Sequence, residues 1–155
     1  MVDSIDHINI VVTDLEPMVR FYSDTLGLTV SKRVTISGEW IDQTVGLKNV
    51  KADVVYLDPP SGPRIELLRY VSPAGASPAG LGLSNTRGLR HIALRVDEID
   101  AVVSRLREAG VRPLSDVQLV PDSQVTYADG VRKRLVYFRD PEGNLLELCE
   151  YRRTC

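Results

Sequence analysis

The chain has 155 residues, enough for one domain or for two small modules, with 43% hydrophobic and 26% charged residues as in ordinary soluble globular proteins. A formal net charge of −2 argues against nucleic acid as the main partner, because neutralising phosphates takes a clustered cationic surface. No apolar run approaches the roughly 18–20 residues that span a bilayer, so no membrane partner is expected.

The start, "MVDSIDHINI", lacks a basic segment followed by an apolar one, so a cytoplasmic location is expected. "HINIVV" alternates and is rich in β-formers, which predicts a strand. Asp14 is a candidate N-cap, with Pro17 close to the first turn, where its missing N–H costs little. The helix that follows carries Met18, Phe21, Tyr22 and Leu26 on its apolar face and stops at Gly27. A strand is expected at "LTVSKRVT", then a short helix or irregular stretch at "SGEWIDQTVGL". "VKADVVYLDPP" and "PRIELLRY" read as an antiparallel pair joined by a proline–glycine turn.

The segment Ser72–Gly88, rich in glycine and proline, reads as a linker. After it the pattern recurs. "LRHIALRV" is a strand, and "DEIDAVVSRLREAG" a helix with Ile99, Val102, Val103 and Leu106 inward and Gly110 as its stop. Strands follow near "RPLSDVQLV", "RKRLVYFRD" and "NLLELCEY", the last two flanking the turn "DPEG". The reading is an α+β fold of paired βαβββ modules, residues 1–71 and 89–155 joined by the linker 72–88, whose curved mixed sheets surround a metal-binding cavity. Two cysteines, Cys149 and Cys155, make no disulfide framework, and Cys149 is expected to be a buried, inert thiol.

The two histidines of the chain, His7 and His91, occupy equivalent places in the two modules. Two glutamates in otherwise apolar strands, Glu66 and Glu147, also correspond, and the separation between the glutamates nearly matches that between the histidines. Strand side chains alternate with period two, which puts all four on the sheet face not covered by the module's own helix. Two imidazoles and two carboxylates suit one divalent ion, Zn, Ni, Co, Mn or Fe, and a dication compensates carboxylates that are otherwise costly to bury. Asn9 and Arg95 share the same face and are candidate substrate contacts. Trp40 is a candidate lid residue, and Arg134, in "VRKR", a candidate anion contact.

The motifs "DHINIVVTDLEPMVRFYSDTLGL", "RIELLRY", "LRHIALRVDEID" and "FRDPEGNLLELCE", in this order, resemble those of the vicinal oxygen chelate superfamily of glyoxalases, bleomycin-resistance proteins and dioxygenases. The resemblance covers essentially the whole chain and is nearest to glyoxalase I and methylmalonyl-CoA epimerase. It implies that His7, Glu66, His91 and Glu147 are the metal ligands and that Glu147 or Glu66 serves as catalytic base. The implied activity is that of a metal-dependent lyase or isomerase, acting by enolisation of a small substrate that chelates through two adjacent oxygens. The alternatives are a non-haem iron extradiol-type dioxygenase, disfavoured by a fourth protein ligand, and a non-catalytic binding or resistance protein, disfavoured by the full ligand set. Homodimers are common on such scaffolds, and one is expected here.

Overall fold

The computed structural model describes residues 1–153; Thr154 and Cys155, at the end of the expected second module, lie outside the described residues. The chain forms two compact units, Met1–Pro78 and a second beginning at Ala79. Each holds one four-stranded mixed sheet. No helix among the described residues is long and apolar enough to cross a membrane.

In the first unit the order along the chain is β1 (His7–Val11), α1 (Leu15–Arg20), β2 (Thr29–Ser37), α2 (Glu39–Val45), β3 (Lys51–Asp58) and β4 (Arg64–Ser72). The sheet order is β1-β4-β3-β2, with β1 parallel to β4 and the other pairs antiparallel. α1 runs on as a single π turn, Phe21–Thr25, before the chain reverses at Gly27, whose φ of +79° suits a residue without Cβ. Met18, Val19, Phe21 and Tyr22 are buried, as are Ile10, Val12, Val55, Leu57, Ile65 and Leu67 on the sheet. Burial of each such side chain contributes roughly 1.5–3 kcal/mol, far more than the helix propensity of so short a segment. The opposite face of this sheet has its own apolar floor: Ala52, Val54 and Leu68, with Val34, Ile36, Tyr56 and Tyr70 packed against it.

The second unit repeats the plan with β5 (His91–Arg95), α3 (Ile99–Glu108), β6 (Gln118–Leu119), β7 (Val131–Arg139) and β8 (Leu145–Arg153), in the sheet order β5-β8-β7-β6. Ile99, Val102, Val103 and Leu106 of α3 are buried, as are Val136, Phe138, Leu146 and Leu148. Glu150 lies on that same face of β8 and is 1% exposed. Its carboxylate accepts a hydrogen bond from the Ile99 backbone N–H at 3.1 Å, which ties the start of α3 to the sheet. The turn after β7 is built on Asp140, whose side chain accepts from the backbone N–H groups of Glu142 and Asn144 and from the Asn144 amide.

One expected strand is much reduced. The stretch "RPLSDVQLV" yields only Gln118–Leu119 in β6. Pro113 and Pro121 bracket it and have no N–H to give to a ladder, although Leu114 N–H still reaches the Tyr137 carbonyl at 2.7 Å.

Candidate functional site

In the first unit the β1–β4 register sets Asn9 against Glu66, so the odd-numbered side chains of β1 share a sheet face with Glu66. Glu66 is 9% exposed. His7 Nε2 lies 3.5 Å from Glu66 Oε2, and the Asn9 amide donates to that same oxygen at 2.7 Å. The other ring nitrogen, His7 Nδ1, is 2.8 Å from Asp6 Oδ2. A carboxylate there accepts a hydrogen bond from Nδ1–H, the tautomer that leaves the Nε2 lone pair on the Glu66 side. The His7 hydrogen bond holds the Asp6 carboxyl below the usual carboxylate range. Tyr56 stands opposite Glu66 on β3, and its hydrogen bond to Glu66, then burial, pushes the phenol pKa up.

The second unit builds a related arrangement. His91 Nε2 lies 3.3 Å from Glu147 Oε2, and the Glu147 side chain is 4% exposed. Tyr137 stands opposite Glu147 on β7 and packs tilted against the His91 ring, with centroids 5.1 Å apart. Burial pushes the Tyr137 phenol up, helped by the charge and hydrogen bonding of Glu147. Where the first unit uses the neutral Asn9, the second uses a cation: Lys133 Nζ is 2.7 Å from Glu147 Oε1. Burial disfavours the Lys133 ammonium, but hydrogen bonding to Glu147 and its charge outweigh this and hold the pKa above the ordinary lysine value. Arg95 and Lys133 both lie over the Tyr151 ring, at 5.5 and 5.8 Å from its centroid. Burial pushes the Cys149 thiol up, so it sits among these groups as a neutral side chain.

Of the expected substrate contacts, Asn9 bonds the site carboxylate and Arg95 lies on the site face of β5. Trp40 sits on α2, 59% exposed, in the connection after β2, the edge strand furthest from β1. Arg134 is placed differently from the expectation. It lies on the opposite face of β7 from Lys133, where it forms a two-pronged ion pair with Asp100 at 2.8 and 2.9 Å and reaches Glu150 at 3.1 Å. Its task is to hold α3 to the sheet and satisfy a buried carboxylate, and Lys133 is the cation on the site face.

Lys133, Tyr137, Tyr56 and Tyr151 are site neighbours that the residue pattern alone did not single out. A signal for three of them was present. Counting outward in equal steps from the turn at Asp140–Gly143, Arg139 meets Leu145, Tyr137 meets Glu147 and Lys133 meets Tyr151.

Each unit therefore presents an imidazole nitrogen and a carboxylate oxygen about as far apart as two donors on one edge of a tetrahedron with bonds of about 2.1 Å. The chemistry fits a borderline divalent ion: nitrogen and oxygen donors, buried carboxylates, and in the first unit a carboxylate behind the imidazole. Among the described residues no group of three or more His, Cys, Asp or Glu side chains forms a cluster able to hold a metal, so each unit offers a pair of donors.

Residues 4–148 match the family model of the glyoxalase/bleomycin resistance protein/dioxygenase superfamily. The chain is 31% identical over 146 residues to the uncharacterized protein YaeR of Escherichia coli K12, covering 94% of this chain and 95% of that protein. It is 29% identical over 113 residues to the mitochondrial methylmalonyl-CoA epimerase of Mus musculus, a match over 72% of this chain but 56% of the epimerase. Among solved structures, a glyoxalase family protein from Bacillus cereus superposes with a TM-score of 0.81 at 28% identity, covering 97% of this chain and 95% of that one. The trypanothione-dependent glyoxalase I of Leishmania major shares the fold, with a TM-score of 0.61 at 20% identity over 96% of this chain and 87% of that one. With the doubled βαβββ plan and the repeated histidine–glutamate pair, these matches establish that the chain belongs to the glyoxalase/bleomycin resistance protein/dioxygenase superfamily.

Proposed function

We propose that the protein is a divalent-metal-dependent lyase or isomerase whose metal ligands are the His7–Glu66 pair of the first unit and the His91–Glu147 pair of the second, and that it enolises a small substrate chelating through two adjacent oxygens. The observation that carries this reading is the repetition of one pair. In both units an imidazole Nε2 lies within about 3.5 Å of a buried carboxylate that also accepts from a neighbouring strand. Nothing in the packing of a β-sheet demands this twice, and burying two carboxylates costs several kcal/mol each without compensation.

When bound, the ion supplies Lewis acidity to the substrate oxygens. The chain's own residues supply the rest. Glu66 and Glu147 are the groups that take a proton from carbon and return it, at Oε1 or Oε2, and Asn9, Tyr56, Tyr137 and Lys133 orient them. One carboxylate working alone, or two working in turn, gives isomerisation or epimerisation without net redox change. The similarity to a methylmalonyl-CoA epimerase supports an acyl thioester as one substrate class to try, and the shared fold with a glyoxalase I supports a hemithioacetal as the other.

The test combines metal analysis with solvent exchange. Purified protein is stripped with a chelator, reloaded singly with Zn²⁺, Ni²⁺, Co²⁺, Mn²⁺ or Fe²⁺, and incubated with each substrate class in deuterated water. One ion bound per site and metal-dependent deuterium uptake at the carbon next to the carbonyl are expected, with uptake lost in Glu147→Gln or Glu66→Gln. Full exchange after stripping would overturn the reading. Oxygen consumption with iron alone would replace it with a dioxygenase, and failure to bind any of the ions would leave a binding protein.

A further inference from the structure

At two neighbouring positions on the site face the second unit carries a cation where the first carries an apolar residue. Lys133 stands opposite Tyr151 on the β7–β8 ladder, and the matching position opposite Tyr70 in the first unit is Ala52. Arg95 stands beside Cys149 on β5, and the matching position beside Leu68 is Val11. The fold accepts alanine and valine at these places, so the cations of the second unit are not requirements of the sheet. They are gathered: both lie over the Tyr151 ring, which Tyr127 meets edge-on at 5.5 Å. Glu147 is the one carboxylate among the site-face side chains of β5, β7 and β8, and it engages Lys133 at 2.7 Å.

From this asymmetry we infer that Lys133 and Arg95, backed by Tyr151, form a subsite for a carboxylate of the substrate, masked by Glu147 until the charge of Glu147 is taken up elsewhere. The inference deepens the function proposed above, on which it rests, by naming an anionic substrate. Lys133 already holds a carboxylate at hydrogen-bonding distance with its side chain only 17% exposed, so an oxyanion fits there. A dication held by Glu147 would draw its charge away from Lys133, and a largely buried ammonium with a weakened partner is unfavourable. An incoming substrate carboxylate restores the pairing. Filling one site thereby favours filling the other, and the coupling is reciprocal.

Two measurements separate this inference from the metal reading. The first uses protein stripped of metal, in which Glu147→Gln removes the masking charge. Calorimetric titration with malonate at low ionic strength should show at least tenfold tighter binding to Glu147→Gln than to the wild type. The gain should vanish when Lys133→Met or Arg95→Met is added, and uncharged malonamide should show no gain. Equal malonate affinity in wild type and Glu147→Gln, or a gain that survives loss of Lys133, would overturn the inference whatever the metal result. The second uses the wild-type protein loaded with Zn²⁺ and compares acetohydroxamate with the monohydroxamate of succinate, matched chelators without and with a remote carboxylate. The carboxylate-bearing probe should bind more tightly, and Lys133→Met should abolish the difference. Equal binding of the two probes would also overturn the inference. Failure to load zinc would count against the metal reading alone and leave the first measurement to decide.

Discussion

Lys133 and Glu147 face each other across the β7–β8 ladder, Nζ to Oε1 at 2.7 Å, with the glutamate side chain 4% and the lysine side chain 17% exposed. This contact offsets the burial of the Glu147 carboxylate within the sheet, because a neighbouring ammonium supplies charge of the opposite sign. It also sets up a competition, since the same carboxylate cannot give its full charge to both Lys133 and a metal.

Replacing Lys133 with methionine should therefore cost stability in the metal-free protein and raise metal affinity. The loss should be about 2 kcal/mol, below the full penalty for breaking a buried pair because His91 and Tyr137 remain beside the carboxylate and the lysine is partly solvated. Chemical denaturation of stripped protein measures the first effect and zinc titration the second. Weaker zinc binding in Lys133→Met would show that the lysine supports the metal site rather than competing with it.

Asp6 accepts from the ring nitrogen of His7 that faces away from Glu66. Such partners fix the tautomer and orientation of a ligating imidazole, and their loss typically weakens metal binding about 10–100-fold. Because Asp6 is well exposed, Asp6→Ala should fall near the lower end, about tenfold, with the fold unchanged. Unaltered affinity would remove His7 from the ligand set or show that water replaces the carboxylate.

Arg134 should matter to folding and not to turnover. Arg134→Met leaves Glu150, 1% exposed, with only the Arg152 Nε at 3.0 Å and the Ile99 N–H. A cost of about 2 kcal/mol is expected, with the fraying concentrated at the start of α3. Hydrogen exchange at the first turn of that helix reads it directly, and a fall in kcat without loss of stability would contradict the assignment.

The Asp100–Arg134 pair also sets a pH dependence. The Arg134 hydrogen bond holds the Asp100 carboxyl below its ordinary value. A depressed folded-state pKa adds stability above the unfolded value, near pH 4, and loses it as pH falls through the lower folded value. Asp100→Asn should thus be less stable than the wild type at neutral pH, by a small margin because the aspartate is exposed, and the gap should close in strong acid. A gap that persists undiminished at low pH would assign the difference to packing and not to charge.

Much of this molecule could be read from local pattern, because local rules decide it. Alternation in "HINIVV" and "RHIALRV" fixes which side chains share a face, since the strand period is two. Helical spacing of Ile99, Val102, Val103 and Leu106 selects the buried stripe of α3, and Asp140 to Gly143 declares its turn through hydrogen bonds three or four residues long. The pairing of His7 with Glu66 and of His91 with Glu147 was legible for a different reason: the chain states the same unit twice, and each copy checks the other. What lay beyond local pattern was the assignment of charges across strands. In "VRKR" three of the four residues are cations, and although counting from the turn at Asp140–Gly143 puts Lys133 on the face of Glu147, nothing local says that Lys133 engages Glu147 while Arg134 meets Glu150 and Asp100. Only the β7–β8 register and the packing of α3 decide that, because an ion pair between residues far apart in the chain depends on tertiary contacts that neither side chain specifies alone.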